Sequence, residues 1–152
     1  MTTATSTANE LTLSITQEVR VNASLEATFA AILDELGPRF AGEDGKPLRM
    51  KIEARPGGRW YRDLGDDNGH LWGHVQAIKR PTLLEFTGPL FMSYAAVSNI
   101  QYRLSPVDGG TLIAFKHTAM GLIPDEDRTG MNEGWADLLE GVRRNAEGGA
   151  RT

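Results

Sequence analysis

From Leu11 to Val21 apolar and polar positions alternate, with Leu11, Leu13, Ile15, Val19 and Val21 separated by Thr12, Ser14, Thr16, Glu18 and Arg20. A period of two is that of a strand with one face buried. The alternation stops at Asn22-Ala23-Ser24, and Leu25, Phe29, Ile32, Leu33 and Leu36 then recur every three or four residues as far as Gly37-Pro38. Ser24 is placed to cap a short amphipathic helix. Residues 39–48 carry glycine, proline and charge and read as a loop. Beyond them, strand-like runs at 50–54, 59–64, 70–79, 83–87, 97–104 and 111–117 alternate with turn-forming groups, among them Pro56-Gly57-Gly58, the run from Gly65 to Gly69, Gly88-Pro89 and Asp108-Gly109-Gly110. Such short connections make hairpins, because parallel crossovers need about a dozen residues or more. After Pro124 the period becomes helical, with Met131, Trp135, Leu138, Leu139 and Val142 on one stripe, three acids at its start and Arg143 and Arg144 near its end. Those charges suit the helix dipole. The predicted order is strand, helix, six strands, long helix, and a sheet with one apolar face packed on one apolar helix stripe gives an α+β two-layer domain.

Composition narrows the classes of function. The chain has 152 residues, enough for one domain with its own core, and residues 10–148 are expected to form it behind a disordered tail over residues 1–9. Twenty acidic against sixteen basic residues leave a net charge of -4, without the basic footprint of a nucleic-acid binder. The absence of cysteine removes disulfides, thiolate nucleophiles and cysteine zinc sites. No stretch is long and apolar enough to cross a bilayer, and no signal-peptide pattern precedes Leu11, so the expectation is a cytoplasmic protein without membrane insertion.

Several residues occur in an order that resembles the START-like (SRPBCC) superfamily, and within it the AHSA-type group, homologous to the C-terminal domain of the heat-shock chaperone ATPase activator. They are Val21-Asn22-Ala23-Ser24, Pro56-Gly57-Gly58-Arg59-Trp60, Gly69 with Gly73 and Ile78, Pro81 to Phe86, Gly110-Thr111 to His117, and Gly134-Trp135. The resemblance implies a helix-grip fold, in which a curved antiparallel sheet wraps a long C-terminal helix, often with a cavity between the two. Gly134 is expected to let that helix approach the sheet. The fold serves binding proteins, cyclases, hydrolases and co-chaperones alike, so function has to come from the site. The segment from Gly88 to Tyr94 corresponds to no known family role.

Strand parity nominates the lining of such a cavity. Ile100, Tyr102 and Leu104 share one parity, Ile113, Phe115 and His117 another, and Leu84 with Phe86 a third. With a turn at Asp66-Asp67-Asn68, residues Trp60, Arg62, Trp72 and His74 fall on one face of their hairpin; a bulge at Gly73 would exchange the faces. Trp60, Trp72, Phe86, Tyr102 and Phe115 are therefore the candidate walls of a ligand site, and His74 and His117 its candidate polar contacts. The alternative for the tryptophans is a packed cross-strand aromatic pair, and for His117 a hydrogen-bonded core histidine. His70 is expected at the surface. His70 and His74 lie about 13 Å apart on an extended chain, at about 3.3 Å per residue, and cannot share one metal ion. No metal site is expected, and nothing implies a cofactor. The Asp66-Asp67-Asn68-Gly69 run lacks the spacing of a calcium loop, and no phosphate loop or nucleophile elbow is present.

Three functions follow from this reading. The first is binding of a small hydrophobic or amphipathic molecule between the sheet and the C-terminal helix. The second is an enzyme that moves protons with His117, His74 or a buried carboxylate. The third is a co-chaperone-like module that binds a chaperone or another protein, for which Leu90-Phe91-Met92 is the candidate exposed apolar surface.

Overall fold

Ser24 begins the fold's first reversal: its Oγ accepts a hydrogen bond from the Ala27 backbone N–H at 3.1 Å and ends β1 (Thr12–Val21) at the start of α1 (Leu25–Leu36). The computed structural model describes residues 11–42, 44–92 and 95–148, so the tail expected over residues 1–9 lies outside the described residues. After α1 come β2 (Met50–Ile52), β3 (Arg59–Gly65), β4 (Asn68–Lys79), β5 (Leu83–Gly88), β6 (Ala96–Val107), β7 (Gly110–Gly121) and α2 (Asp125–Ala146). The strands form one antiparallel sheet in the order β1-β7-β6-β5-β4-β3-β2. It is a meander whose last strand closes onto the first, and it has the element order the residue pattern predicts. The β3–β4 reversal is a two-residue turn with Asp66 and Asp67 both at positive φ, 54° and 60°, a conformation that matches the twist of the flanking strands.

The parity argument holds across the middle of the sheet. Leu84 and Phe86 on β5 face Tyr102 and Ile100 on β6, and these face Phe115 and His117 on β7. All six are fully or almost fully buried. They form the concave wall on which α2 lies through Met131, Trp135, Leu139 and Val142, with Phe29, Ile32 and Leu36 of α1 in the same core.

Polar ties fix α2 along its length. Near its start the Arg128 guanidinium donates to the Thr12 carbonyl at 2.7 Å, and Gln17 Nε2 donates to the Asn132 carbonyl, also at 2.7 Å. Near its end Asn145 donates to Asp34 and Glu35 of α1 at 2.9 and 2.8 Å, and Glu147 accepts from the Asn22 backbone N–H at 2.8 Å.

Gly134 does not serve as a close-approach point. It is exposed, and a Cβ added there meets nothing within 4 Å. One residue is about 100° around a helix, so the neighbour of an inward Trp135 faces away from the sheet. Adjacent positions should therefore respond oppositely. Gly134→Ala should stabilise the protein by up to about 1 kcal/mol through reduced backbone entropy of the unfolded chain, whereas Trp135→Ala should destabilise it by about 3–5 kcal/mol. Chemical denaturation of the two variants measures both, and a destabilising Gly134→Ala would mean that the position is packed.

Candidate functional site

The hairpin of β3 and β4 departs from simple alternation. Trp60 pairs with Gly73 while Tyr61 pairs with Leu71, so Trp72 is an extra residue on β4. This bulge carries both Trp72 and Val75 to the inner face, where they are buried, and turns His74 outward, where it is exposed. His74 therefore does not share a face with Trp60 and Trp72, and the polar contact expected from it is corrected. His70, expected at the surface, is the inward histidine of β4. It is half-buried, pairs across the strands with Arg62, and its Nδ1 accepts a hydrogen bond from Trp72 Nε1 at 3.1 Å. Gly73 is required where it sits, since a Cβ would stand 2.6 Å from the Thr87 carbonyl oxygen, and the facing Gly88 is equally confined.

The other candidate walls meet in one continuous aromatic layer. Trp60 touches Trp72 and Phe86 edge-on at 5.1 and 4.8 Å between ring centroids. Phe86 lies 6.3 Å from Tyr102, Tyr102 5.1 Å from Phe115, and Phe115 4.7 Å from Trp135 on α2. Trp60 Nε1 also donates to the Leu36 carbonyl at 2.8 Å, which caps the end of α1. These side chains fill the space they were expected to line: Trp60, Phe86, Tyr102 and Phe115 are each no more than 2% exposed. A surface hollow of about 440 Å3 lies beside Ser24 and Asp108, and another of about 660 Å3 on the outer face of β1, β6 and β7 borders Phe115; neither is lined by Trp60, Trp72, Phe86 or Tyr102.

The β5–β6 connection closes the layer. Leu90 and Met92 insert into the core, and only Phe91, 45% exposed, lies over Trp72 at 6.0 Å. The Leu90-Phe91-Met92 segment is thus not the exposed apolar surface expected of it. Leu90 is held at φ 58° with its N–H on the Trp72 carbonyl at 2.8 Å, a left-handed conformation that strains a residue with a Cβ by roughly 1–2 kcal/mol. Ser93 and Tyr94, at the end of the segment, lie outside the described residues.

Polar groups inside the layer divide into satisfied and unsatisfied ones. His117 is satisfied at both nitrogens. Indole N–H groups only donate, so Trp135 Nε1 at 2.9 Å makes Nδ1 the acceptor, and Nε2 carries the proton and donates to Ser98 Oγ at 2.8 Å. Burial pushes the imidazole down to about 4, and a second proton on Nδ1 would point at the indole N–H. His117 is therefore a neutral structural bridge between β7, β6 and α2, without a nitrogen left for a ligand or for proton transfer. Among the described residues three other buried side-chain atoms lack a hydrogen-bond partner: the Tyr102 hydroxyl, Thr28 Oγ1 and Arg62 Nε. Burial also pushes the Tyr102 hydroxyl up, so it remains a neutral donor. No group of three or more histidine or acidic side chains with metal-site geometry occurs among the described residues. No helix among them is long and apolar enough to cross a membrane.

The seven-stranded curved sheet with a long C-terminal helix defines an α+β helix-grip domain. A family model for Activator of Hsp90 ATPase homolog 1-like proteins matches residues 22–147, and the chain belongs to that family, within the START-like superfamily. No curated protein matches the chain. Similar solved structures include an uncharacterised protein from Rhizobium leguminosarum, with TM-score 0.70 at 18% identity over 90% of this chain and 95% of that one. CalU16 from Micromonospora echinospora superposes with TM-score 0.62 at 20% identity, covering 88% of this chain and 75% of that one. An Aha1 dimer from Colwellia psychrerythraea gives 0.67 at 16% identity, over 91% and 99%. At these identities the likeness concerns the fold.

The His117 geometry predicts a pH effect of known sign. Its folded pKa lies below the unfolded value, so between pH 6.5 and about 4 the unfolded chain binds the proton that the folded protein refuses. Its contribution to stability is complete above pH 6.5 and falls as pH drops, by about 2 kcal/mol between pH 7.5 and 5. His117→Gln should flatten that segment of the stability profile measured by urea denaturation. An unchanged slope in the variant would show that His117 does not bind its proton as its surroundings imply.

Proposed function

We propose that this protein binds a small hydrophobic or amphipathic molecule between the sheet and the C-terminal helix. The observation that carries the reading is the Tyr102 hydroxyl, wholly buried in an aromatic layer with no hydrogen-bond partner among the described residues. A buried hydroxyl left unbonded is unfavourable by roughly 1–3 kcal/mol, and a donor kept in such a place is accounted for when a ligand supplies the acceptor. The walls are Trp60, Trp72, Phe86, Tyr102 and Phe115. Because their layer is filled, the ligand enters by displacing the Leu90 and Met92 side chains, and the strain at Leu90 favours that opening. Membership of a family whose fold often encloses a cavity supports the same reading. We place the protein in the cytoplasm, since a chain without cysteine suits a reducing compartment.

The enzymatic reading loses its two histidines, since His74 faces outward and His117 is doubly bonded. A protein-binding reading has one observation in its favour: Val97 and Met120, paired across β6 and β7, are 56% and 63% exposed, with Leu122 beside them. That surface is on the outer face of the sheet and is independent of the aromatic layer.

A thermal-shift screen of fatty acids, terpenoids and polycyclic aromatics tests the ligand reading. A true ligand at a hundredfold excess over Kd stabilises the native state by about 2.7 kcal/mol. Tyr102→Phe should be as stable as the parent, having lost only an unbonded hydroxyl, and should show a smaller shift with ligands that carry an acceptor. A silent screen, or hits equally strong in Tyr102→Phe, would sink the reading and favour the outer apolar face.

A further inference from the structure

The rim of the aromatic layer carries a charged group that the protein leaves unanswered. Arg62 lies on the inner face of β3, on the side of Trp60, with the buried Met50 opposite it on β2. Its side chain is half-buried, its Nε is fully enclosed, and it has no hydrogen bond or ion pair among the described residues. The basic groups on the outer face of the same strands are paired: Lys51 Nζ reaches Asp63 at 2.7 Å, and Arg59 grips Glu53 through two bonds of 2.9 and 3.0 Å. The contrast matters because a half-buried guanidinium whose enclosed Nε has no partner is unfavourable, and Arg is the side chain whose planar fork fits a carboxylate.

A second donor faces the same point. His70 is the cross-strand partner of Arg62, and such partners have Cβ atoms about 4.5–5.5 Å apart. Since Trp72 Nε1 occupies His70 Nδ1 as an acceptor, the proton of the neutral ring sits on Nε2, which has no partner among the described residues. Arg62 and His70 thus present donors only. Beside them lies an apolar platform, Trp72, edged by Phe40 at 5.5 Å and Phe91 at 6.0 Å between ring centroids.

We propose that Arg62 and His70 form the docking point for an anionic head group, a carboxylate, whose apolar body lies against Trp72, Phe40 and Phe91. This rests on the ligand-binding reading and narrows it to anionic amphiphiles. The register at the Trp72 bulge defines the site: His70, on the turn side of the bulge, shares the inner face with Arg62 and Trp72, while His74 beyond it is turned out.

Isothermal titration at pH 7 with 2-naphthoate and its uncharged isostere 2-naphthamide tests the assignment. The carboxylate should bind at least tenfold more tightly than the amide. Arg62→Met should abolish that preference, weakening naphthoate at least tenfold more than naphthamide, and melt at or above the parent temperature because it removes a half-buried charge without a partner among the described residues; Arg62→Lys should retain part of the preference. Equal affinities for the two probes, or a preference that survives Arg62→Met, would overturn the head-group site while the cavity reading stood. If neither probe binds, the head-group site is overturned, and the result joins a silent screen in counting against the cavity itself.

Discussion

Everything in this fold depends on one mutual covering: α2 lies across the concave face of the sheet, beside α1, and buries its apolar stripe there. Trp135 is where the two meet. Its ring stands 4.7 Å from Phe115, and its indole N–H donates to His117, which in turn donates to Ser98 on the neighbouring strand. Helix, β7 and β6 are tied at one buried point by a chain of bonds in which every donor faces an acceptor. The outer ties through Arg128, Gln17, Asn145 and Glu147 fix the helix along its length. Burial of the stripe supplies the stability, and the polar thread determines which part of the helix meets which part of the sheet.

The elements were legible in the residues because each boundary has a local cause. Ser24 caps α1, Asp66 and Asp67 accept the left-handed turn, and strict alternation on β5, β6 and β7 puts Leu84, Phe86, Ile100, Tyr102, Phe115 and His117 on one face. Family resemblance and residue pattern pointed to the same architecture, and the family match bears that out. The signal failed where a strand breaks its own period. The bulge at Trp72 adds one residue to β4, and every assignment of face beyond it inverts, so His74 left the interior and Val75 entered it. Gly73 and Gly88 were visible as glycines, but the contact that makes them necessary is long-range and has no sequence period.

Other errors share one origin, the reading of a residue's type without its direction. Gly134 was expected to permit close packing because it precedes Trp135, yet a helix turns consecutive residues to different sides. Leu90-Phe91-Met92 looked like an exposed apolar run, yet two of its three side chains fill the core, with Leu90 held in a left-handed backbone. A loop has no periodicity from which direction can be read.

The distinction that carries the functional argument is between polar groups the protein answers and those it does not. His117 looked like the natural site residue, a histidine facing inward among aromatic side chains. Its two nitrogens are both engaged, and recruiting either to a ligand would break a bond that holds α2 to the sheet. Tyr102 and Arg62 are unlike it in this respect, since removing the Tyr102 hydroxyl or the Arg62 charge breaks no hydrogen bond or ion pair among the described residues. A structural role predicts that such groups would be replaced by apolar ones of similar shape at no loss, since a packed core is at least as stable without them. A binding role gives each a purpose: the hydroxyl deep in the layer meets an acceptor on the body of the ligand, and the guanidinium at the rim meets its charge. The two groups stand at different depths along one aromatic path from Trp72 through Trp60 and Phe86 to Tyr102, so under the proposed reading a molecule satisfying both would be elongated, largely apolar, with an acceptor along its body and an anionic end.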